Sequence, residues 1–266
     1  KGVLMDKATG ERLLVDGKEV TAEAKFTPKE KDGSVDVTFT FDAGGLMGSK
    51  VVAFESLYVK GVEVAVHADI EDDDQTVEFP EPKIRTTATD AENGTHESLA
   101  VGEVTIVDTV KYEGLVVGQK YTVKGTLMDK ATGKELLVDG QAVTSEKTFV
   151  AEAKDGSVRI TFTFDAGGLM GNKVVAFERL YVKGVEVAVH ADIEDDGQTV
   201  RFPTPEIRTT AVNAETGTHE AAATKEVAIV DTVRYENLVT GQEYTVKGVL
   251  MDKATGEKLL VDGKEV

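Results

Sequence analysis

The chain repeats itself, and this repeat limits its possible folds more than any other feature of the sequence. The segment KGVLMDKATGERLLVDGKEV, which begins at Lys1, returns with few changes at Lys124 and again at Lys247. The offset from Lys1 to Lys124 is 123 residues, whereas the repeats of solenoid proteins are roughly 20–50 residues long. Each repeat is therefore long enough to fold as a domain of its own within a tandem array.

Short proline-containing segments give the expected boundaries between repeats. FPEP occupies residues 79–82 and FPTP occupies residues 202–205, and two prolines in four residues stiffen the chain and remove backbone donors. We predict a C-terminal part of a domain over residues 1–82, a complete domain over 83–205 and an N-terminal part over 206–266, joined by short, semi-rigid links. We also expect the chain to be a piece of a longer protein.

Within a repeat the apolar residues alternate with polar ones. VRITFTF at residues 158–164 and VEVAV at 185–189 have a period of two, and Gly and Asp turn signals separate such runs. Period two with β-branched residues is typical of strands with one buried face. Many short strands in a unit of this size predict an all-β fold of tandem, antiparallel, immunoglobulin-like β-sandwich domains.

Composition excludes several classes of function. The 30 basic and 48 acidic side chains leave a net charge of −18, so we expect no binding to nucleic acid, which needs clustered cations. The chain has no cysteine, which excludes disulfides and thiolate metal sites. No apolar run is long enough for a membrane span, no signal peptide is evident and no phosphate-binding glycine loop occurs. We therefore expect a soluble piece with no membrane insertion, no metal and no cofactor.

Two acidic residues interrupt apolar strand faces. Asp108 lies in phase with Ile106 and Val110, and Glu178 lies in phase with Ala176. A buried carboxyl group must be hydrogen-bonded, paired with a cation, or protonated and sharing its proton with another acid. Two inward acids per repeat favour a shared proton. The alternative is that Asp108 sits at the end of its strand and Glu178 pairs with a nearby Lys or Arg.

A histidine, a glutamine and a threonine complete the set of candidate residues. His190 ends an apolar run, Gln198 follows the acidic turn at 192–196, and the two could face each other across a hairpin. Thr86 shares a face with apolar neighbours, which directs its hydroxyl to the core. Each also has an ordinary structural interpretation. The acidic turn lacks the ligand spacing of an EF-hand, so a solvated turn is favoured over a calcium site.

Several separated segments resemble one known family. They are KIRTTA from Lys83, IVDTVKYEGL from Ile106 and VVAFERLYVKGVEVAVHADIEDDGQTV from Val174, with EIRTTA again from Glu206. In order and content they resemble the VaFE-type repeats of Gram-positive surface adhesins, which contain an intramolecular Thr–Gln ester bond. The resemblance covers the whole middle repeat and both partial ones. It implies that a threonine of the first strand condenses with a glutamine of the last, assisted by a histidine and two acids.

The motifs carry these roles over residue by residue. In the middle repeat they match Thr86 as nucleophile, Gln198 as acceptor, His190 as base, and Asp108 and Glu178 as the assisting acids. Thr87 and Thr109 remain alternative nucleophiles. The partial repeats divide the same set between them: Glu55, His67 and Gln75 stand near the beginning of the chain, and Thr209 and Asp231 stand near its end. Related domains with a Lys–Asn isopeptide bond fit less well, because no Asn stands where Gln198 does.

The resemblance implies a structural stalk in an extracellular adhesin or fibre anchored to the cell wall. The chain would react once with itself and would not be a turnover enzyme, and its partners would be neighbouring repeats, with any host ligand bound by other domains. The divided residue set also predicts head-to-tail linkage of chains through a Thr209–Gln75 ester. Because residues 1–20 and 247–266 duplicate one segment, one copy would be displaced in such a chain; an arbitrary window of a longer fibre is the alternative. Other hypotheses are a module that binds a host glycan or protein, and a hydrolase that uses His190 with an acid.

Overall fold

The computed structural model describes all residues, 1–266, and its regular secondary structure consists entirely of strands. The prediction of antiparallel β-sandwich architecture is confirmed. No helix of the length and apolar character needed to cross a membrane is present. The structure contains 22 strands, which fall into a first unit before the FPEP segment, a middle unit, and a last unit after the FPTP segment.

The middle unit consists of two sheets. Its strands are β8 (Lys83–Asp90), β9 (Glu103–Glu113), β10 (Lys120–Asp129), β11 (Lys134–Glu135), β12 (Leu137–Val138), β13 (Gln141–Ala142), β14 (Thr144–Val150), β15 (Gly156–Asp165), β16 (Lys173–Val182), β17 (Val185–His190) and β18 (Thr199–Arg201). One sheet has the order β15-β9-β8. The other has the order β11-β10-β16-β17, with β14 paired to β10 and β18 paired to β16; β12 and β13 form a separate small hairpin. Every pairing between these strands is antiparallel.

The alternation of the sequence produces the core between the two sheets. On β15, Val158, Ile160, Phe162 and Phe164 are buried while the residues between them are exposed. They belong to a cluster of 24 buried apolar residues from both sheets. Gly125 on β10 permits close approach of the sheets: an added Cβ would lie 2.5 Å from Ile160 Cδ1 and 2.6 Å from Phe162 Cζ.

The first and last units contain the same elements in part. The first has β1 (Gly2–Asp6), β2 (Leu14–Val15), β3 (Lys18–Glu19), β4 (Thr21–Ala22), β5 (Lys50–Val59), β6 (Val62–His67) and β7 (Thr76–Glu78). They include a five-stranded sheet of order β4-β1-β5-β6 with β7 paired to β5. The last has β19 (Glu206–Asn213), β20 (Ile229–Glu236), β21 (Leu260–Val261) and β22 (Lys264–Glu265), in two hairpins.

Segments of nearly identical sequence differ in structure between the units. Residues 33–42 correspond to β15 but form no strand, because β15 pairs only with β9 and the first unit has no counterpart of β9. Residues 243–252 correspond to β10, yet only an isolated bridge between Met251 and Lys258 forms there. The last unit has no counterpart of β16, the main partner of β10. Pairing partners that are distant in sequence therefore decide which segments become strands.

Candidate functional site

The side chains matched to the ester-bond motifs meet in the middle unit, between its two sheets. Thr86 lies on β8 and Asp108 on β9, in one sheet; Glu178 lies on β16 and His190 ends β17, in the other. Gln198 immediately precedes β18. Strand register sets their positions: Asp108 is opposite Ala88, and Glu178 is opposite His190. The alternation of each strand directs its functional side chain inward.

Thr86 and Gln198 are in direct contact. Gln198 Nε2 donates to Thr86 Oγ1 at 2.9 Å, and both residues are buried. The same nitrogen lies 2.6 Å from the Ala176 carbonyl oxygen and 3.0 Å from Glu178 Oε2, contacts that hold the carboxamide against the threonine. The alternative nucleophiles face other ways, since Thr87 is exposed and Thr109 is only half-buried on the outer face of β9. The hydroxyl placed against the glutamine is that of Thr86.

The two acids form a buried pair. Asp108 and Glu178 are both completely inaccessible to solvent, and their carboxyl groups lie close enough for each to shift the pKa of the other. Burial and then the neighbouring Asp108 charge raise the pKa of Glu178 from 4.5 to about 10, and burial also raises the pKa of Asp108 above its ordinary value. At least one acid of the pair therefore keeps its proton at neutral pH. Asp108 lies in mid-strand, and no cation pairs with Glu178.

Four buried oxygens at the site need hydrogen-bond donors, which the carboxyl protons of Asp108 and Glu178 can supply. Asp108 Oδ1, Asp108 Oδ2, Glu178 Oε1 and Gln198 Oε1 have no hydrogen-bond donor when both acids are ionised. Unpaired buried acceptors are costly. Protonated carboxyl groups are donors, so a protonated pair can satisfy oxygens of the pair and of the Gln198 carboxamide. Neutral acids can therefore serve buried oxygens at this site that charged carboxylates would leave without a donor.

His190 connects the threonine to a further acid. The Thr86 backbone N–H donates to His190 Nδ1 at 3.1 Å, and Thr86 Oγ1 lies 3.3 Å from the same nitrogen. Because Nδ1 accepts a hydrogen bond, the ring proton of the neutral histidine is on Nε2, which lies 3.3 Å from Asp195 Oδ2. Nδ1 therefore carries the lone pair of the ring, which accepts from the Thr86 N–H and lies within reach of the Thr86 hydroxyl. The hydroxyl itself donates to Glu178 Oε2 at 2.9 Å.

Asp195 belongs to the acidic run at 192–196, which the sequence predicts to be a solvated turn; the structure instead places the Asp195 carboxylate against His190. A signal was present: an acid follows His190 by five residues, and Asp72 follows His67 by the same interval. The first unit repeats the contact, with His67 Nε2 3.3 Å from Asp72 Oδ2. In the middle unit Asp195 Oδ1 also accepts from the Gly197 N–H at 2.7 Å, so this aspartate shapes the turn that leads into Gln198. No group of three or more acids and histidines is arranged to hold a metal ion.

The partial units each hold part of the same arrangement. In the first, Gln75 Nε2 donates to Glu55 Oε2 at 3.0 Å, and Gln75 Oε1 is buried without a donor. In the last, Thr209 and Asp231 lie on adjacent strands, with Asp231 opposite Ala211 as Asp108 is opposite Ala88. Thr209 and Asp231 are exposed. Each unit therefore presents a half site, an acceptor half in the first and a nucleophile half in the last.

Comparison with solved structures finds partial, distant similarity. Two crystal forms of a bacterial adhesin from Mobiluncus mulieris, described as containing intramolecular disulfide, isopeptide and ester bond cross-links, are 13% and 14% identical with TM-scores of 0.39 and 0.40. Each match covers 59% of this chain and 76% of the adhesin chain. A putative beta-galactosidase from Bacteroides fragilis is 15% identical, with a TM-score of 0.32, covering 44% of this chain and 17% of the other. No curated protein matches the sequence.

Comparison with protein families gives a match along nearly the whole chain. The model of the T-Q ester bond containing domain matches three times, at residues 1–79, 82–202 and 205–266. These matches follow the internal repeat, and the middle one contains the buried Thr86–Gln198 contact. The chain therefore belongs to the family of T-Q ester bond containing domains.

Proposed function

We propose that the middle unit joins Thr86 to Gln198 by an intramolecular ester bond, and that the chain is a stalk segment of an extracellular bacterial adhesin. The observation that carries this proposal is the 2.9 Å contact between Gln198 Nε2 and Thr86 Oγ1 in a buried site lined by two acids. An external substrate has no access to Gln198, which is fully buried. In this proposal the chain acts once, on its own Gln198.

The residues supply each step of the condensation. His190 Nδ1 accepts the Thr86 hydroxyl proton as Oγ1 attacks the Gln198 Cδ carbon, and Asp195 stabilises the charged imidazole. The protonated acid pair donates to the carboxamide oxygen, where negative charge develops. The C–N bond then breaks; the leaving nitrogen takes up the proton lost by the hydroxyl and departs as ammonia, leaving the ester. Burial keeps out the water that would hydrolyse it.

The position of this bond suits a protein under tension. Thr86 lies on the first strand of the middle unit and Gln198 lies before its last strand, 112 residues apart. An ester between them ties together the two strands through which a pulling force enters and leaves the unit. We propose that such units form the shaft of a surface protein anchored to the wall of a Gram-positive cell, with ligand binding in other domains.

Intact mass spectrometry of the purified chain tests the ester directly. The wild-type chain should be lighter than its sequence mass by one ammonia, and Thr86→Val should restore the full mass. Thr87→Val is the matched control, because Thr87 is the exposed neighbour on the same strand, and it should keep the deficit. A wild-type chain of full mass, in a folded protein, contradicts the proposal.

A second proposal concerns the half sites: the last unit of one chain completes the first unit of another. The apolar residues Ile207, Ile229 and Tyr235 are 62%, 47% and 67% exposed. Their counterparts in the middle unit, Ile84, Ile106 and Tyr112, are 6%, 0% and 7% exposed. Docking of β19 and β20 on the first unit of a second copy would bury this apolar surface.

Docking would also give residues 33–42 a strand partner and bring Thr209 and Asp231 to the site of Glu55, His67 and Gln75. Residues 247–266 would remain outside, since β1 already pairs with β5. The expected product is a head-to-tail polymer linked by Thr209–Gln75 esters.

Denaturing gels of the concentrated chain test this linkage. A ladder of multimers should appear and should be lost in Thr209→Val but not in Thr210→Val, which changes the next residue of the same strand. A single monomer band at high concentration contradicts covalent linkage. The mass deficit of the middle unit does not depend on this result.

A further inference from the structure

A loop that follows β8, the strand of Thr86, also holds β18, the strand that comes directly after Gln198. We define the latch as residues 91–98. The chain turns back after Asp90, whose Oδ1 accepts from the backbone N–H groups of Glu92 and Asn93 at 2.8 and 3.1 Å. The latch thus begins five residues after Thr86, with its first turn fixed by the Asp90 carboxylate.

The far end of the latch pairs with β18. Glu97 forms a parallel bridge with Arg201; the Ser98 N–H donates to the Arg201 carbonyl at 2.9 Å, and the Arg201 N–H donates to the His96 carbonyl at 2.8 Å. On its other side β18 pairs with β16. The strand that follows Gln198 is therefore held on both sides, by the sheet that carries Glu178 and by the latch.

One buried side-chain pair closes the latch. Ser98 Oγ donates to Asp90 Oδ2, and both residues are buried. The Ala88 N–H adds a direct bond from β8 to the Gly197 carbonyl at 2.9 Å. These contacts connect the chain just after Thr86 to the chain on both sides of Gln198.

We propose that Asp90 and Ser98 are positioning residues for ester formation, an inference that rests on the proposed Thr86–Gln198 ester. Neither residue touches the reacting atoms. Their hydrogen bond holds the latch closed, and the closed latch holds β18 in place. The position of β18 in turn sets the distance between the Thr86 hydroxyl and the Gln198 carboxamide. Because a displacement of about 1 Å from reactive geometry can slow a reaction on the order of 100-fold, loss of this bond slows ester formation more than it weakens the fold.

The last unit provides the substitutions for the test. Asn213 and Ala221 stand there in place of Asp90 and Ser98. Asn213 Oδ1 still accepts from the Glu215 N–H at 2.8 Å, so asparagine retains the turn. Alanine removes the hydroxyl that closes the latch. The double variant Asp90→Asn/Ser98→Ala gives the middle unit a pair that the chain already uses elsewhere.

The experiment follows ester formation in the full chain during cell-free synthesis at low temperature, with samples quenched in acidic denaturant and weighed by intact mass spectrometry. The double variant should lose ammonia about tenfold more slowly than wild type, with the same pH profile of the rate. Ser98→Ala alone, which leaves the Asp90 turn bonds in place, should be slowed in the same direction.

Leu136→Ala is the matched control, because Leu136 is a buried core residue outside the latch and the site. It should lower stability yet leave the rate close to that of wild type. The positioning role is refuted if the latch variants react at the wild-type rate, or if Leu136→Ala slows the reaction as much as they do. A wild-type chain that never loses ammonia would instead refute the ester itself.

Discussion

Asp108 and Glu178 come from the central strands of opposite sheets, and both side chains are fully buried in the core of the middle unit, where each shifts the pKa of the other. Burial raises the pKa of both acids, and the neighbouring charge of Asp108 raises the pKa of Glu178 further. In an ordinary sandwich core two such residues would only be destabilising. In the proposed reaction these two acids lie beside the Gln198 carboxamide and have a chemical role. A neutral acid can polarise an amide carbonyl, whereas a carboxylate would repel it.

The stability of the unit without its ester should fall as the pH rises. In the unfolded chain Glu178 ionises near 4.5, whereas in the folded chain it keeps its proton to about pH 10. Between these values the folded state binds more protons than the unfolded state, so each pH unit lowers the free energy of unfolding by up to about 1.4 kcal/mol. Urea unfolding of Thr86→Val at a series of pH values, followed by circular dichroism, measures this slope.

Glu178→Gln in the same background isolates the effect of this one group. Glutamine does not titrate, so the number of protons taken up on folding should fall by as much as one. The free energy of unfolding should therefore depend less steeply on pH over the same range. Glu186→Gln is the control, because Glu186 is exposed and pairs with Arg179. Equal slopes for the two variants would show that Glu178 does not take up a proton on folding.

The rate of ester formation should depend on His190 and, through it, on Asp195. His190→Ala removes the general base and should slow ammonia loss about 100-fold or more. Asp195→Asn should slow it by about tenfold or more, because the ring loses the acid that fixes its tautomer. Asp196→Asn, which removes only an exposed contact to Arg201, should react normally. A normal rate for Asp195→Asn in the same mass assay would contradict this role of Asp195.

The ester should contribute several kcal/mol to the stability of the middle unit. It closes a loop across 112 residues, and by analogy with a disulfide of that span it lowers the entropy of the unfolded chain by an equivalent of about 4–5 kcal/mol. Urea midpoints of wild type and Thr86→Val, measured by circular dichroism, give the difference. Equal midpoints for a linked and an unlinked chain would contradict this estimate.

Gly125→Ala should destabilise the same unit through overpacking. The added methyl group would meet Ile160 and Phe162 at less than 3 Å, and such overpacking costs about 1–3 kcal/mol. Gly168→Ala is the control, because its added methyl meets nothing within 4 Å and its backbone needs no positive φ. Urea unfolding in the Thr86→Val background measures both, and similar midpoints would contradict the close approach of the sheets.

The alternation of apolar and polar residues along the strands predicts part of the site. The inward phase of Asp108 and Glu178 was visible in the sequence because each interrupts a run of period two. The role of Asp195 was not visible, since an acid in a turn of five mostly acidic residues carries no phase. The choice among Thr86, Thr87 and Thr109 also needed the structure, because only contact with Gln198 distinguishes one hydroxyl from the others.

The sequence by itself determined the strand-rich fold and the 123-residue repeat, because alternation and self-similarity are properties of the chain read in order. Tertiary structure decided which segments pair and which side chains meet. Residues 124–129 are part of a strand against β16, whereas their near-copy at residues 247–252 lacks that partner and forms only an isolated bridge at Met251. The physical reason is that a β-strand satisfies its backbone hydrogen bonds with a neighbour distant in sequence. The site depends on the same long-range pairing, since its residues come from both sheets.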